Sequence, residues 1–280
     1  MGTRQPSPVT LCGSLSLHPV GLGRAMHEAA YAALGLAFVY VPFGVRSEDL
    51  SGSLAGMRAL GIRGFGVSMP FKLEVMPLLD RLDPLAKQIG AVNTIVNDDG
   101  VLTGFNSDAE GAARALEEVA GDLAGARCLV LGAGGAARAV AFGLAARSAE
   151  VTIANRTDTR AESLAREIAG AKALSWSERD AKLAAFDILV NASSAGMRGE
   201  GDDASPIADG SLGSRLTVMD IVYAPIRTRL YEAAQVRGAR AVHGGRMLLY
   251  QACRQFELYT GKPAPVAAMN HALERAISVA

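Results

Sequence analysis

Residues 128–135, CLVLGAGG, run an apolar segment into a glycine turn, and the small-residue stretch AARAVAFGLAA follows. That order reads as a strand, a tight turn and a helix whose first amides can receive a pyrophosphate. Gly132 and Gly134 carry no side chain to hold phosphate oxygens away from those amides, and Ala137 lets the helix pack close to the strand. A turn of the same composition also occurs where nothing binds. A second apolar run, EVTIANRT at 150–157, ends about twenty residues beyond the glycines, where NAD sites place an acidic side chain on the adenosine ribose. Here the residue is Asn155, followed by Arg156 and, one helical turn on, Arg160. An asparagine beside a guanidinium admits a 2'-phosphate and donates to it, so NADP is the expected cofactor. As the solvated start of a helix, the two arginines would instead be ordinary surface charge.

These residues need a sheet to hold them. With 280 residues and a glycine motif that starts near 130, an N-terminal block is left over, and two domains are expected. The first block alternates: strand-like VTLCGSL, a helix over Arg24–Ala33, strand-like AFVYVPF, a helix near Leu50–Ala59, then GIRGFGVSM and a further helix over Leu73–Leu79. AVNTIVN and VLTGFN bracket Asp98-Asp99-Gly100, a hairpin signal, and this α/β domain ends near Asp108. A connecting helix over Glu110–Val119 leads to strands at Cys128–Leu131, Glu150–Ala154, Phe186–Asn191 and Thr217–Ile221 with helices between the earlier ones, the rhythm of a Rossmann-like, doubly wound parallel sheet. The polar run 199–211 reads as an exposed loop or short irregular connection. Met247–Leu258 has helical periodicity and another Ala-rich helix ends the chain. A helix carries no address, so its packing partner stays open at this level.

Composition excludes several classes. Lys plus Arg and Asp plus Glu both number 28, so no net field steers nucleic acid or an anionic membrane, and neither is expected as a partner. Cys12, Cys128 and Cys253 are far apart and lie in apolar stretches, which suggests neither disulfides nor a metal cluster and fits a cytoplasmic protein. No long apolar leader opens the chain, and its most apolar stretch, 128–146, is interrupted by Arg138 and glycines.

Eight segments, in order, resemble the shikimate dehydrogenase family: VSMPFK (67–72), GAVNTIVNDDG (90–100), GFNSD (104–108), GAGGAARA (132–139), NRT (155–157), NASSAGM (191–197), DIVYAPIRTRL (220–230) and MLLYQACRQFELYTG (247–261). The wording around ALGIRG and VSMPFK is most similar to the shikimate dehydrogenase-like paralogues. The resemblance implies a substrate-binding α/β domain made of 1–108 and 247–280, and an NADP-binding Rossmann-like domain over 109–246. It implies Lys72 and Asp108 as catalytic residues; read alone, Asp108 fits an N-cap and Lys72 a solvent-exposed lysine. Hydride transfer to a carbonyl leaves negative charge on oxygen, which Lys72 would stabilise and protonate, while Asp108 would orient the ammonium and bind a substrate hydroxyl. Ser68, Asn93, Tyr223 and Gln251 match the family's substrate contacts, although alone Asn93 fits a turn and Gln251 an exposed helix face. Gly132, Ala133, Gly134, Gly135, Ala136, Asn155, Arg156, Thr157, Arg160 and Met197 match its cofactor contacts.

One segment departs from the family. Members carry HSxSP near the N-terminus, with both serines on the substrate carboxylate, whereas this chain reads HPVGLGRAMH over 18–27. Counted back from His27 the serine places fall at Gly21 and Gly23; counted forward from Gly13 they fall at Pro19 and Gly21. Ser14 and Ser16 could supply a carboxylate site from upstream, and a strand-end turn accounts for them equally well. Gly66 stands where the family often has asparagine. The expected function is NADP-dependent interconversion of 3-dehydroshikimate and shikimate or a close analogue, a step of aromatic amino acid biosynthesis, by a monomer or homodimer. A quinate/shikimate dehydrogenase using NAD or NADP, and a non-catalytic nucleotide-binding regulator, stay open beside it.

Overall fold

A computed structural model describes residues 9–199 and 204–278. The chain divides into two compact units, one formed by 1–107 with 252–280 and the other by 108–251. In the first, strands and helices follow as β1 (Thr10–Ser16), α1 (Leu22–Ala33), β2 (Phe38–Gly44), α2 (Leu50–Ala59), β3 (Gly64–Val67), α3 (Phe71–Glu74), β4 (Arg81–Leu82), α4 (Pro84–Ile89), β5 (Thr94–Asp98) and β6 (Val101–Phe105). The sheet order is β2-β1-β3-β5-β6-β4. β1 runs parallel to β2 and β3, and β5 is antiparallel to both β3 and β6. The β5–β6 turn uses Asp99 and Gly100, both at positive φ, 51° and 90°, which a two-residue hairpin of this hand requires. Leu15, Phe65, Phe71, Val92, Ile95 and Leu102 form its core with Leu54 and Met57 of α2.

The second unit begins with α5 (Ser107–Ala120) and continues through β7 (Arg127–Leu131), α6 (Gly135–Ala145), β8 (Glu150–Ala154), α7 (Asp158–Glu167), β9 (Lys172–Leu174), α8 (Arg179–Lys182), β10 (Ile188–Asn191), β11 (Thr217–Asp220), α9 (Arg229–Val236) and β12 (Arg240–His243). All six strands are parallel, in the order β12-β11-β10-β7-β8-β9. The chain winds outward from β7 in one direction and from β10 in the other, which makes β7/β10 the switch point of a doubly wound sheet. α6 and α5 touch backbone to backbone: a Cβ on Gly143 would lie 2.5 Å from the Ala109 carbonyl oxygen. α10 (Gly244–Thr260) leaves this unit after Gln251, and its second half joins the first unit together with α11 (Val266–Ser278), which packs on α1.

Three local expectations change. The helix expected over Leu73–Leu79 is the four-residue α3 followed by a 3-10 turn at Met76–Leu78, because Pro77 has no N–H to continue it. α5 starts at Ser107, so Asp108 sits inside its first turn and does not cap it. In the run 199–211, residues 200–203 lie outside the described residues; beyond them Pro206 and Ile207 are buried, so that connection is irregular but not exposed throughout. Among the described residues no helix is long and apolar enough to cross a membrane, and all three cysteines are buried thiols.

Candidate functional site

In the second unit the expected cofactor residues gather at the carboxyl ends of β7, β8 and β10. Gly132 takes φ +117°, and a Cβ there would stand 2.7 Å from the carbonyl oxygen of Ala192. This glycine therefore lets the loop after β10 approach β7. The expectation that it clears a path for phosphate transfers to Gly134 and Gly135, which are exposed and face open space. Gly134 caps α6 with no side-chain bond, leaving the first amides of an eleven-residue helix turned to solvent beside half-buried Ala133 and exposed Ala136. Ala137 is fully buried under the helix.

At the end of β8, Asn155 Nδ2 donates to the Thr157 carbonyl at 3.0 Å, so its Oδ1 is the atom left to meet a ligand. Thr157 occupies the cap position of α7 and makes no side-chain cap bond. Arg156 and Arg160 are exposed and pair with no carboxylate among the described residues, whereas Arg138 on α6 is held by Glu167 at 2.7 Å. Two unpaired guanidiniums beside open helix amides fit a phosphorylated ribose.

The loops after β10 and β11 carry Met197 and Tyr223, both exposed. They are tied together beneath by a carboxylate that sequence reading passed over. Asp220, at the end of β11, is buried and accepts from Asn191 Nδ2 at 3.0 Å, the Val222 N–H at 3.1 Å and the Thr228 hydroxyl at 2.6 Å. Asn191 Oδ1 in turn accepts from the Ser193 N–H and hydroxyl, and the Arg198 N–H donates to the Ala224 carbonyl at 3.0 Å. Burial pushes the Asp220 carboxyl up to about 6 against those hydrogen bonds. A polar residue closing an otherwise apolar strand, as in TVMD and ILVN, was the signal available.

The first unit brings Ser14, Ser16, Ser68, Lys72 and Asn93 to one end of its sheet. Ser14 and Ser16 lie within β1, not in a turn. Ser68 follows β3 and donates its N–H to the Leu15 carbonyl, while the Lys72 carbonyl on α3 accepts from Val92, one residue before Asn93. Asn93 is buried, and its Oδ1 accepts from the Ser107 N–H at 2.7 Å, the Thr94 hydroxyl at 2.9 Å and the Ser107 hydroxyl at 3.1 Å. A backbone N–H can only donate, which fixes the amide's orientation and leaves Nδ2 as the group Asn93 presents. Asp108 opens the second unit and Gln251 closes it, half-buried, with Nε2 donating to the Leu248 carbonyl. Gln255, buried in the first unit, supports the Asn93 turn, its Nε2 donating to the Asn93 carbonyl at 3.3 Å and to Thr94 Oγ1 at 3.2 Å; nothing in the helix sequence singles it out.

Family models match three stretches of the chain: a shikimate dehydrogenase substrate binding domain at 20–95, shikimate/quinate 5-dehydrogenase at 114–203 and a shikimate 5'-dehydrogenase C-terminal domain at 244–274. A protein of Moorella thermoacetica named shikimate dehydrogenase (NADP(+)) is 44% identical over 93% of this chain and 91% of its own. The crystal structure of shikimate 5-dehydrogenase from Thermus thermophilus with NADP(H) and shikimate superposes with a TM-score of 0.86 at 36% identity, covering 96% of this chain and 100% of that one. That of a 5-ketofructose reductase from Gluconobacter sp. strain CHM43 gives 0.88 at 34% identity, over 96% and 99%. With all three family stretches matched in order and relatives this similar over nearly the full length, the chain belongs to the shikimate dehydrogenase family.

Proposed function

We propose that the protein is an NADP-dependent oxidoreductase that interconverts 3-dehydroshikimate and shikimate or a close hydroxylated ring analogue. The observation that carries the cofactor is the pair of unpaired guanidiniums, Arg156 and Arg160, beside the open amides of α6, and the relatives' names agree with it. Bound NADPH supplies the hydride. Lys72 stabilises the developing alkoxide and delivers its proton, Asp108 binds a substrate hydroxyl, and Asn93 donates through Nδ2 to another oxygen of the ring. Ser14, Ser16, Ser68, Tyr223 and Gln251 complete the substrate contacts. Residues 1–108 with 247–280 serve the substrate and 109–246 the cofactor, in a cytoplasmic monomer or homodimer.

The test is steady-state oxidation of shikimate and quinate with NADP and with NAD, followed by reduced-cofactor absorbance, on the native protein and Lys72→Ala. NADP-linked turnover that falls by about 100-fold or more in the variant, with the NADP dissociation constant nearly unchanged, is the expected result. Equal losses in turnover and cofactor affinity would remove the role assigned to Lys72.

A further inference from the structure

An asparagine can turn either its oxygen or its nitrogen toward a ligand, and the two differ by a half-turn about one side-chain bond. At Asn93 the choice is made by three side chains from β5, α5 and α10, all within one compact unit. Thr94 is fully buried, and Ser107 and Gln255 are buried beside it. The directions of their hydrogen bonds follow from two main-chain groups whose roles are fixed. The Asn93 carbonyl can only accept, so the Gln255 atom on it is Nε2, and the same nitrogen donates to Thr94 Oγ1. Thr94, accepting from Gln255, turns its single proton toward Asn93 Oδ1 at 2.9 Å or Ser107 Oγ at 3.1 Å. The Ser107 N–H can only donate, and it reaches Asn93 Oδ1 at 2.7 Å, with the Ser107 hydroxyl on the same oxygen at 3.1 Å.

Whichever oxygen takes the Thr94 proton, the chain of donors runs one way: from Gln255 to Thr94, and from Thr94, directly or through Ser107, to Asn93 Oδ1. The two lone pairs of that oxygen meet an amide N–H and at least one hydroxyl, which leaves it no capacity for a ligand. A carboxamide whose oxygen is loaded in this way is polarised, and its N–H becomes the stronger donor. Gly66 on β3 leaves the room for the arrangement, since a Cβ there would lie 3.3 and 3.4 Å from the two amide heteroatoms of Gln255. Without the Thr94 hydroxyl, Gln255 Nε2 would keep only the Asn93 carbonyl, and the path from Gln255 to Asn93 Oδ1 would be cut.

We infer that Thr94 is a positioning residue for the substrate: its hydroxyl, oriented by Gln255, holds Asn93 as a contact that only donates, so the substrate oxygen Asn93 meets is an acceptor. The inference rests on the role proposed above for Asn93 and goes beyond it in naming what sets that side chain. The test is a double-mutant cycle on the full chain, with Thr94→Val, Asn93→Ala and the two combined, read as the KM for shikimate at saturating NADP. Valine is nearly isosteric with threonine and keeps its β-branch, so the hydroxyl is what the substitution removes. Thr94→Val is expected to raise KM by about fivefold, the effect of one hydrogen bond, with kcat and the KM for NADP nearly unchanged. Thr94→Ala, which removes the hydroxyl without adding a methyl, is expected to give the same split, and Thr94→Ser to restore the native KM. In the Asn93→Ala background the valine substitution should raise KM no further, because the side chain it acts through is gone. Equal increases in both backgrounds, or a loss that serine does not restore, overturn the inference and leave the reaction standing, since the hydroxyl would then serve the strand and not Asn93. A native protein that does not oxidise shikimate with NADP removes the proposed reaction and the inference with it.

Discussion

Replacing Asp220 by asparagine separates the charge of this buried group from its hydrogen bonds. Asparagine can keep its Oδ1 on the Asn191 amide and the Val222 N–H, while its Nδ2 faces the Thr228 hydroxyl, which turns to accept. What changes is ionisation. Burial raises the carboxyl from its ordinary 3.8 to about 6, so between those values the folded protein holds a proton that the unfolded chain has released. Stability conferred by this group is full below pH 3.8 and declines as pH rises to 6, by roughly 3 kcal/mol in total. The asparagine variant has no such decline. Urea unfolding of both proteins at pH 4, 5, 6 and 7 reads it directly, because groups common to the two cancel in the difference. The variant should gain on the native protein through that window, by about 2 kcal/mol at pH 7 relative to pH 4, where part of the full difference is already spent. A difference that stays constant across the window, or that moves in favour of aspartate, refutes the account of a carboxylate held ionised at a cost beneath the two loops.

The cofactor assignment predicts that Asn155→Asp combined with Arg156→Ala lowers kcat/KM for NADP by about 100-fold and raises it for NAD, because a guanidinium donor is lost and a carboxylate now faces the 2'-phosphate; steady-state titration with both cofactors checks it, and an unchanged ratio would make Arg156 plain surface charge. Gly132→Ala places a methyl 2.7 Å from the Ala192 carbonyl at φ +117°, and an unfolding free energy lower by about 1 to 3 kcal/mol is expected by urea titration. The same methyl on exposed Gly134, which meets nothing within 4 Å, should leave stability nearly unchanged and weaken NADP binding measured by calorimetry.

Much of this was legible where function depends on backbone. The glycine turn, the strand ends after it and the Asp99-Gly100 hairpin follow from local conformational rules, and the structure has each of them. β4, β9 and β12 were not foreseen: they are two to four residues long, too short for an alternating pattern to stand out. α4 went unread because its six residues complete less than two turns, although Asp83 caps it by accepting from the Leu85 and Ala86 amides. Asp220 was legible only as a charge at the end of an apolar strand; its partners come from the two loops that follow β10 and β11.

The unequal legibility of cofactor and substrate contacts has a physical origin. Phosphate is met largely by main-chain amides and by a short run of residues after a strand, so the pattern that recognises it is contiguous and survives in the sequence as GAGG and NRT. A substrate's ring substituents are met by side chains from elements far apart in the chain. Around Gly66 the neighbouring side chains are Tyr40 on β2 and Gln255 on α10, separated by 215 positions, and each lies where a side chain at 66 would otherwise pack. A contiguous backbone pattern is therefore easier to read from sequence than a set of side chains that the fold gathers from several elements.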